Sequence, residues 1–175
     1  MNGKIAIKNE KKSVSNSFFL FVYGSLKCGE CNDHVVKPWL LNSTVASTSG
    51  RLYLRSDDYP ALYLENFGRL GSSDYGSDLK LVDAPSCQEG QFVRGELLEL
   101  SEGFVAIPAL DEFEGYFPNS DSEYLRVSLE VETEDGPRVC WTYIGANSPP
   151  SVWPRIEDWP PPGIEKKPEP YRHGY

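Results

Sequence analysis

The sequence predicts one α+β domain built mainly from strands, and three observations carry that prediction. FFLFVY (18–23) is continuously apolar and aromatic and is stopped by Gly24, the pattern of a strand buried on both faces. YLRVSLEVETE (124–134) alternates apolar and polar residues and is joined to PRVCWTYIG through Glu134-Asp135-Gly136, the strongest hairpin signal in the chain. Only PALDEFEGY carries a convincing helical pattern. At 175 residues the chain is long enough for one real core and too short to expect two.

In chain order, residues 1–17 are polar and without sustained period, and are expected to form a flexible lead. The domain proper spans 18–148, and its first strand should deliver Tyr23, Gly24, Ser25 and Leu26 to the strand's C-terminal mouth. VVKPWLL, broken by Pro38, gives a weak helix signal. SGRLYLRS and YPALYLE, separated by Asp57-Asp58, predict a hairpin. The Gly-, Ser- and Asp-rich span 68–86 predicts a long surface loop, with a short strand at Leu79–Val82.

QFVRGELLEL predicts a strand whose internal glycine marks a bulge or the close approach of another backbone. In PALDEFEGY, Pro108 suits a first helical position, Leu110 and Phe113 share a face, and Gly115 stops the helix. In the hairpin, Leu125, Val127, Leu129 and Val131 face one way, while Arg126, Ser128, Glu130 and Glu132 face the other, as in a half-buried strand. Eight of the 14 prolines fall in residues 149–175, a tail that is either extended packing or disorder. Trp153 and Trp159 favour packing at least as far as Trp159, because two solvated indoles would be costly.

Composition narrows the function classes. Seventeen basic against 26 acidic residues leave a formal charge of −9, which repels phosphate backbones and anionic membranes, so no nucleic-acid or membrane partner is expected. Four lysines within residues 4–12 read as a solubilising end. No window is long and apolar enough for a membrane span and no signal-peptide pattern is present, so a cytoplasmic protein with free thiols is expected.

Several clusters invite chemical readings. Cys28, Cys31 and His34 have the look of metal ligands but find no fourth partner: Cys87 and Cys140 are single, and no metal or redox role is expected. Ser25 as a nucleophile would need His34 or His173 as base, and Gly-x-Ser-x-Gly is absent. The YGSLK turn is either a strand-ending turn or, through its exposed N–H groups, a cradle for an anion or carboxylate. Asp111, Glu112 and Glu114 have the spacing of a solvated helix face. Glu114, however, falls at the helix C-terminus, where the dipole disfavours ionisation by about 0.3–1 kcal/mol. Phe113, Tyr116 and Phe117 beside it would desolvate it, and both effects raise a carboxyl pKa, as an acid–base residue working near neutrality requires.

Taken in order, FVYGSLK, GRLY, YPAL, VRGELLEL, LDEFEGY, EYLR and WTYI resemble the gamma-glutamylcyclotransferase-like family, over roughly residues 18–145. The resemblance lies with the gamma-glutamylamine cyclotransferase and avirulence-induced plant protein branch, since the turn reads YGSLK rather than the YGSNL of the free gamma-glutamylcyclotransferases. It implies a small mixed β-barrel with a few packed helices. It also implies a cofactor-free reaction in which a γ-glutamyl amine or peptide cyclises to 5-oxoproline and expels an amine. Carried over, Tyr23, Gly24, Ser25 and Leu26 bind the small-molecule substrate and Glu114 is the catalytic acid–base. Tyr124 and Tyr143 are by position either pocket hydroxyls or packed aromatics, with Tyr124 taken as a substrate-binding residue. The alternatives are a non-catalytic member of the same fold that binds a small ligand or protein, and then a metal or redox protein. Neither the amine leaving group nor the oligomeric state is legible in these motifs.

Overall fold

The computed structural model describes residues 16–80, 83–86 and 90–164. Its strands are β1 (Phe18–Val22), β2 (Leu40–Ser49), β3 (Arg51–Leu54), β4 (Pro60–Tyr63), β5 (Phe92–Leu100), β6 (Tyr124–Thr133), β7 (Gly136–Gly145) and β8 (Arg155–Ile156). Two helices, α1 (Tyr75–Asp78) and α2 (Gly103–Glu114), complete the fold. Five strands close a mixed barrel in the order β1-β5-β2-β6-β7, sealed by a parallel β1–β7 contact, and β4-β3-β8 form a separate sheet. A mixed barrel with few helices is what the sequence resemblance implied.

Phe18, Leu20, Phe21 and Val22 of β1 are buried, and Phe19 alone reaches the surface. The glycine of β5 serves the predicted close approach: a Cβ on Gly95 would stand 2.3 Å from the Val22 carbonyl oxygen and 2.8 Å from the Phe21 ring. The β3–β4 and β6–β7 hairpins form in antiparallel register, as their turns predict.

Three local expectations are corrected, and one strand appears that the sequence did not announce. VVKPWLL does not form a helix; one 3-10 turn, Lys37–Trp39, holds its proline, and Leu40 already opens β2. The strand β2 carried no sequence signal, because LLNSTVASTS is rich in Ser and Thr and largely exposed. Its conformation comes from pairing with β5 and β6 rather than from an apolar face. Helix α2 starts at Gly103, so Pro108 lies inside it; burial of Ala106, Ile107 and Leu110 holds the helix through the missing N–H. The span 68–86 is not only surface loop. It contains α1, capped by Asp74, and it carries Asp78 into the interior. Leu79 and Lys80 form a turn, and the rest of the expected strand there lies outside the described residues.

That buried aspartate explains why β6 departs from simple alternation. Arg126, on the face expected to be solvated, is 1% exposed and donates to Asp111 at 2.8 Å and to Asp78 at 3.0 Å. The rings of Trp141, Tyr116 and Tyr75 surround its guanidinium. Segment 68–78 and α2 thus cover a polar strand face by supplying its counter-charges.

One apolar cluster, including Leu20, Leu98, Trp141, Ile107 and Leu110, fixes α2 on the barrel. A second, including Leu52, Leu62, Val127 and Trp159, fixes the three-stranded sheet. The proline-rich segment contributes β8 to that sheet and buries Trp159 to 1% exposure. The N-terminal lysine run, Cys87 and His173 lie outside the described residues.

Candidate active site

Where β1 ends, the chain turns through Tyr23–Leu26 beside β4. Gly24 is required there, because a Cβ would stand 2.7 Å from Pro60 Cγ. The turn's carbonyls are used internally: Gly24 O accepts from Lys27 N at 3.1 Å and Ser25 O from Asn32 N at 3.0 Å. Among the described residues, the N–H groups of Gly24, Ser25 and Leu26 donate to no protein acceptor. Successive free N–H groups of this kind make a concavity that attracts carboxylate or developing oxyanion.

The residues of this turn border a concave pocket whose empty space, the open solvent at its mouth included, comes to about 580 Å³. Glu114, the last residue of α2, lines the same cavity, with Phe113, Tyr124, Tyr143, Arg55, Asp57, Tyr59 and Asn32 around it. Every residue singled out in the sequence for binding or catalysis therefore borders one space. The half-buried Glu114 carboxyl is pushed up to about 8, first by burial and then by the negative charge of Glu123, with Arg55 opposing. Phe113 is part of the desolvating wall. Tyr116 and Phe117, the other two expected contributors, are not: the Tyr116 hydroxyl donates to Gly71 O and Phe117 is half exposed.

The tyrosine hydroxyls are committed to the scaffold. Tyr23 donates to Tyr143 O at 2.7 Å and accepts from Leu62 N, and Tyr124 donates to Pro60 O at 3.1 Å. Tyr143 donates to Asp111 at 2.7 Å, one turn before Glu114 on α2. Burial holds all three phenols above their ordinary range.

Arg55 carried no motif in the sequence and is the main addition to the site. Asp57 takes two of its N–H groups at 3.2 and 3.0 Å, Tyr124 Oη accepts a third at 3.0 Å, and Glu123 pairs with the same guanidinium. Two carboxylates against one guanidinium leave a net negative wall near Glu114. Tyr59 stacks on Trp159, with centroids 6.1 Å apart, and Lys27 Nζ donates to Trp159 O at 2.6 Å, so the proline-rich segment braces both sides of the cavity. Cys28, Cys31 and His34 do not come together as a group of three that could hold a metal ion, and no such group occurs among the described residues. No helix among them is long and apolar enough to cross a membrane.

A small mixed barrel thus sets a free backbone cradle beside a half-buried glutamate of raised pKa, an arrangement with the groups to receive an anionic oxygen and to hold a proton. The chain belongs to the gamma-glutamyl cyclotransferase, AIG2-like family, whose model matches residues 20–161. It is 32% identical over 142 residues to the gamma-L-glutamyl-butirosin B gamma-glutamyl cyclotransferase of Niallia circulans, an alignment covering 80% of this chain and 74% of that one. An AIG2-like protein of Mus musculus shares the fold, with a TM-score of 0.59 at 24% identity, covering 89% of this chain and 99% of that one. YkqA of Bacillus subtilis aligns with a TM-score of 0.49 at 23% identity over 74% of this chain, which spans 36% of that protein's length.

Proposed function

We propose that this protein converts a γ-glutamyl amine or peptide to 5-oxoproline and a free amine, with Glu114 as the acid–base residue. The observation that carries the reading is the Glu114 carboxyl, pushed up to about 8 and lining one cavity with the free N–H groups of Gly24, Ser25 and Leu26. Both the attacking α-nitrogen and the γ-carbonyl belong to one substrate molecule, so the site's work is to hold a folded conformer and to move a proton.

An α-ammonium of pKa about 8 giving its proton to an ordinary glutamate of pKa about 4.3 is uphill by roughly 5 kcal/mol. With Glu114 near 8 the transfer is close to balanced. The freed α-nitrogen then attacks the γ-carbon, forming the lactam C–N bond, while the turn's N–H groups receive the developing oxyanion. Glu114 passes that proton to the departing nitrogen as the old amide C–N bond breaks, and the second proton that the new lactam nitrogen must shed follows the same route, so the amine leaves as an ammonium and no net proton is exchanged. The Tyr124 ring forms part of the wall that keeps this exchange desolvated, and its hydroxyl, which accepts from Arg55, holds that charged cluster in place.

The test is 5-oxoproline release from a panel of γ-glutamyl amines and peptides by the wild type and by Glu114→Gln. Turnover of at least one substrate is expected, reduced about 10²- to 10⁴-fold by the substitution. No turnover of any member of the panel would point to the non-catalytic alternative. Undiminished turnover by Glu114→Gln would remove Glu114 from the mechanism.

A further inference from the structure

In the segment CGECNDH the cysteines invite the first chemical reading. The residue in it that lines the cavity is Asn32, whose side chain is 1% exposed. Its backbone N–H donates to Ser25 O at 3.0 Å and its Nδ2 to Ser25 Oγ at 2.9 Å. A second hydrogen bond from the Asn32 side chain draws the Tyr59 phenol downward against the larger upward effect of burial. The Ser25 bond is made by Nδ2, which leaves Oδ1 on the other side of the amide.

Asn32 Oδ1 is left buried with no hydrogen-bond partner. An orphaned buried acceptor is unfavourable, and such groups in folded proteins are normally satisfied. One that belongs to a cavity wall is satisfied by a ligand that donates. The substrate proposed above offers few donors. Its α-carboxylate and γ-carbonyl only accept, its scissile amide has one N–H, and its α-ammonium has three. Glu114 takes one of those three, so the α-nitrogen brings the largest unmet demand for acceptors into the desolvated space.

We infer that Asn32 is a positioning and specificity residue whose Oδ1 accepts a hydrogen bond from the α-nitrogen of the γ-glutamyl group. This rests on the cyclotransferase reading. The bond turns the nitrogen's lone pair toward the γ-carbon once Glu114 has taken the proton. It persists into the product, where the same nitrogen becomes the lactam N–H. Because Asn32 is tied to Ser25, the contact couples the placing of the nucleophile to the N–H cradle.

The product supplies a test at equilibrium. Binding of 5-oxo-L-proline is compared with that of its ring-oxygen isostere, 5-oxotetrahydrofuran-2-carboxylate, by ligand-observed NMR on full-length wild type, Asn32→Ala and Asn32→Asp. The wild type is expected to favour the lactam by about tenfold, the worth of one hydrogen bond. Asn32→Ala should bring the ratio to about one. Asn32→Asp should restore the preference, since a carboxylate still accepts and the Ser25 and Tyr59 hydroxyls can turn to donate.

A wild type that does not distinguish the two rings, or Asn32→Ala that keeps the preference, overturns the inference and leaves the proposed reaction standing. If neither ring binds the wild type, the reading on which the inference rests fails with it. The ratio is taken within each folded protein, so lost stability does not imitate the effect. Should Asn32→Ala not fold, Asn32→Leu, which fills the same space without an acceptor, takes its place, and a preference retained by that variant overturns the inference.

Discussion

Replacing Glu114 by glutamine should stabilise the protein, and should do so increasingly as pH rises. The carboxyl's ordinary value is 4.5 and the folded chain pushes it up to about 8. Between those values the folded state holds the proton more tightly than the unfolded state, so stability falls as pH rises through the window and levels off above it. At about 1.36 kcal/mol per pH unit from 4.5 to 7, the wild type forgoes roughly 3 kcal/mol at neutrality. That is an upper value, because the side chain borders a cavity that water enters. Glutamine has the same shape and no such penalty. Urea unfolding of both proteins at pH 5, 6, 7, 8 and 9 gives the difference directly, and the remaining titratable groups cancel in it to first order. The stability gap should be small at pH 5 and widen by about 2–3 kcal/mol by pH 8. A gap that stays flat with pH would refute the placement of Glu114 in a desolvated wall.

Other perturbations test the surroundings of the site. Glu123→Gln removes a charge that raises Glu114, so the acid limb of kcat/KM against pH should move to lower pH, whereas an unmoved limb would show that Glu123 does not act on it. Lys27→Met removes the donor to Trp159 O and should cost about 1.5–3 kcal/mol in unfolding experiments, with KM raised more than kcat is lowered. Gly95→Ala drives a methyl against the Val22 carbonyl and should destabilise by about 2–3 kcal/mol, seen as a lower Tm. Arg126→Met leaves Asp78 and Asp111 without their buried counter-charge and should cost about 3–5 kcal/mol, read from urea midpoints.

What was legible in the sequence was what local pattern encodes. FFLFVY followed by Gly24 announced both β1 and the turn, since an apolar run and a glycine stop are local signals. Glu114 drew notice from its place before Gly115, and the cavity gave that placement its desolvated wall. β2 was illegible because LLNSTVASTS has no apolar face; pairing with β5 and β6 makes it a strand. Arg126 looked solvated because its counter-charges, Asp78 and Asp111, lie 48 and 15 residues away in sequence. Arg55 and Asn32 were missed for the same reason. Neither belongs to a motif, and each acquires meaning only when the barrel closes beside the β3–β4 hairpin. The cysteines just before Asn32 have the stronger chemical reputation, and they drew attention from the amide between them and His34.

The measurement closest to the central claim follows the γ-carbon. A γ-glutamyl amine labelled with ¹³C at that position is incubated with the wild type and with Glu114→Gln and observed by NMR in real time. The label should move into the lactam carbonyl of 5-oxoproline as free amine appears in equal amount, and the conversion should slow by at least two orders of magnitude in Glu114→Gln. Label appearing in the side-chain carboxylate of glutamate would mean hydrolysis by water. That result, or conversion at the wild-type rate by Glu114→Gln, would contradict intramolecular cyclisation through Glu114.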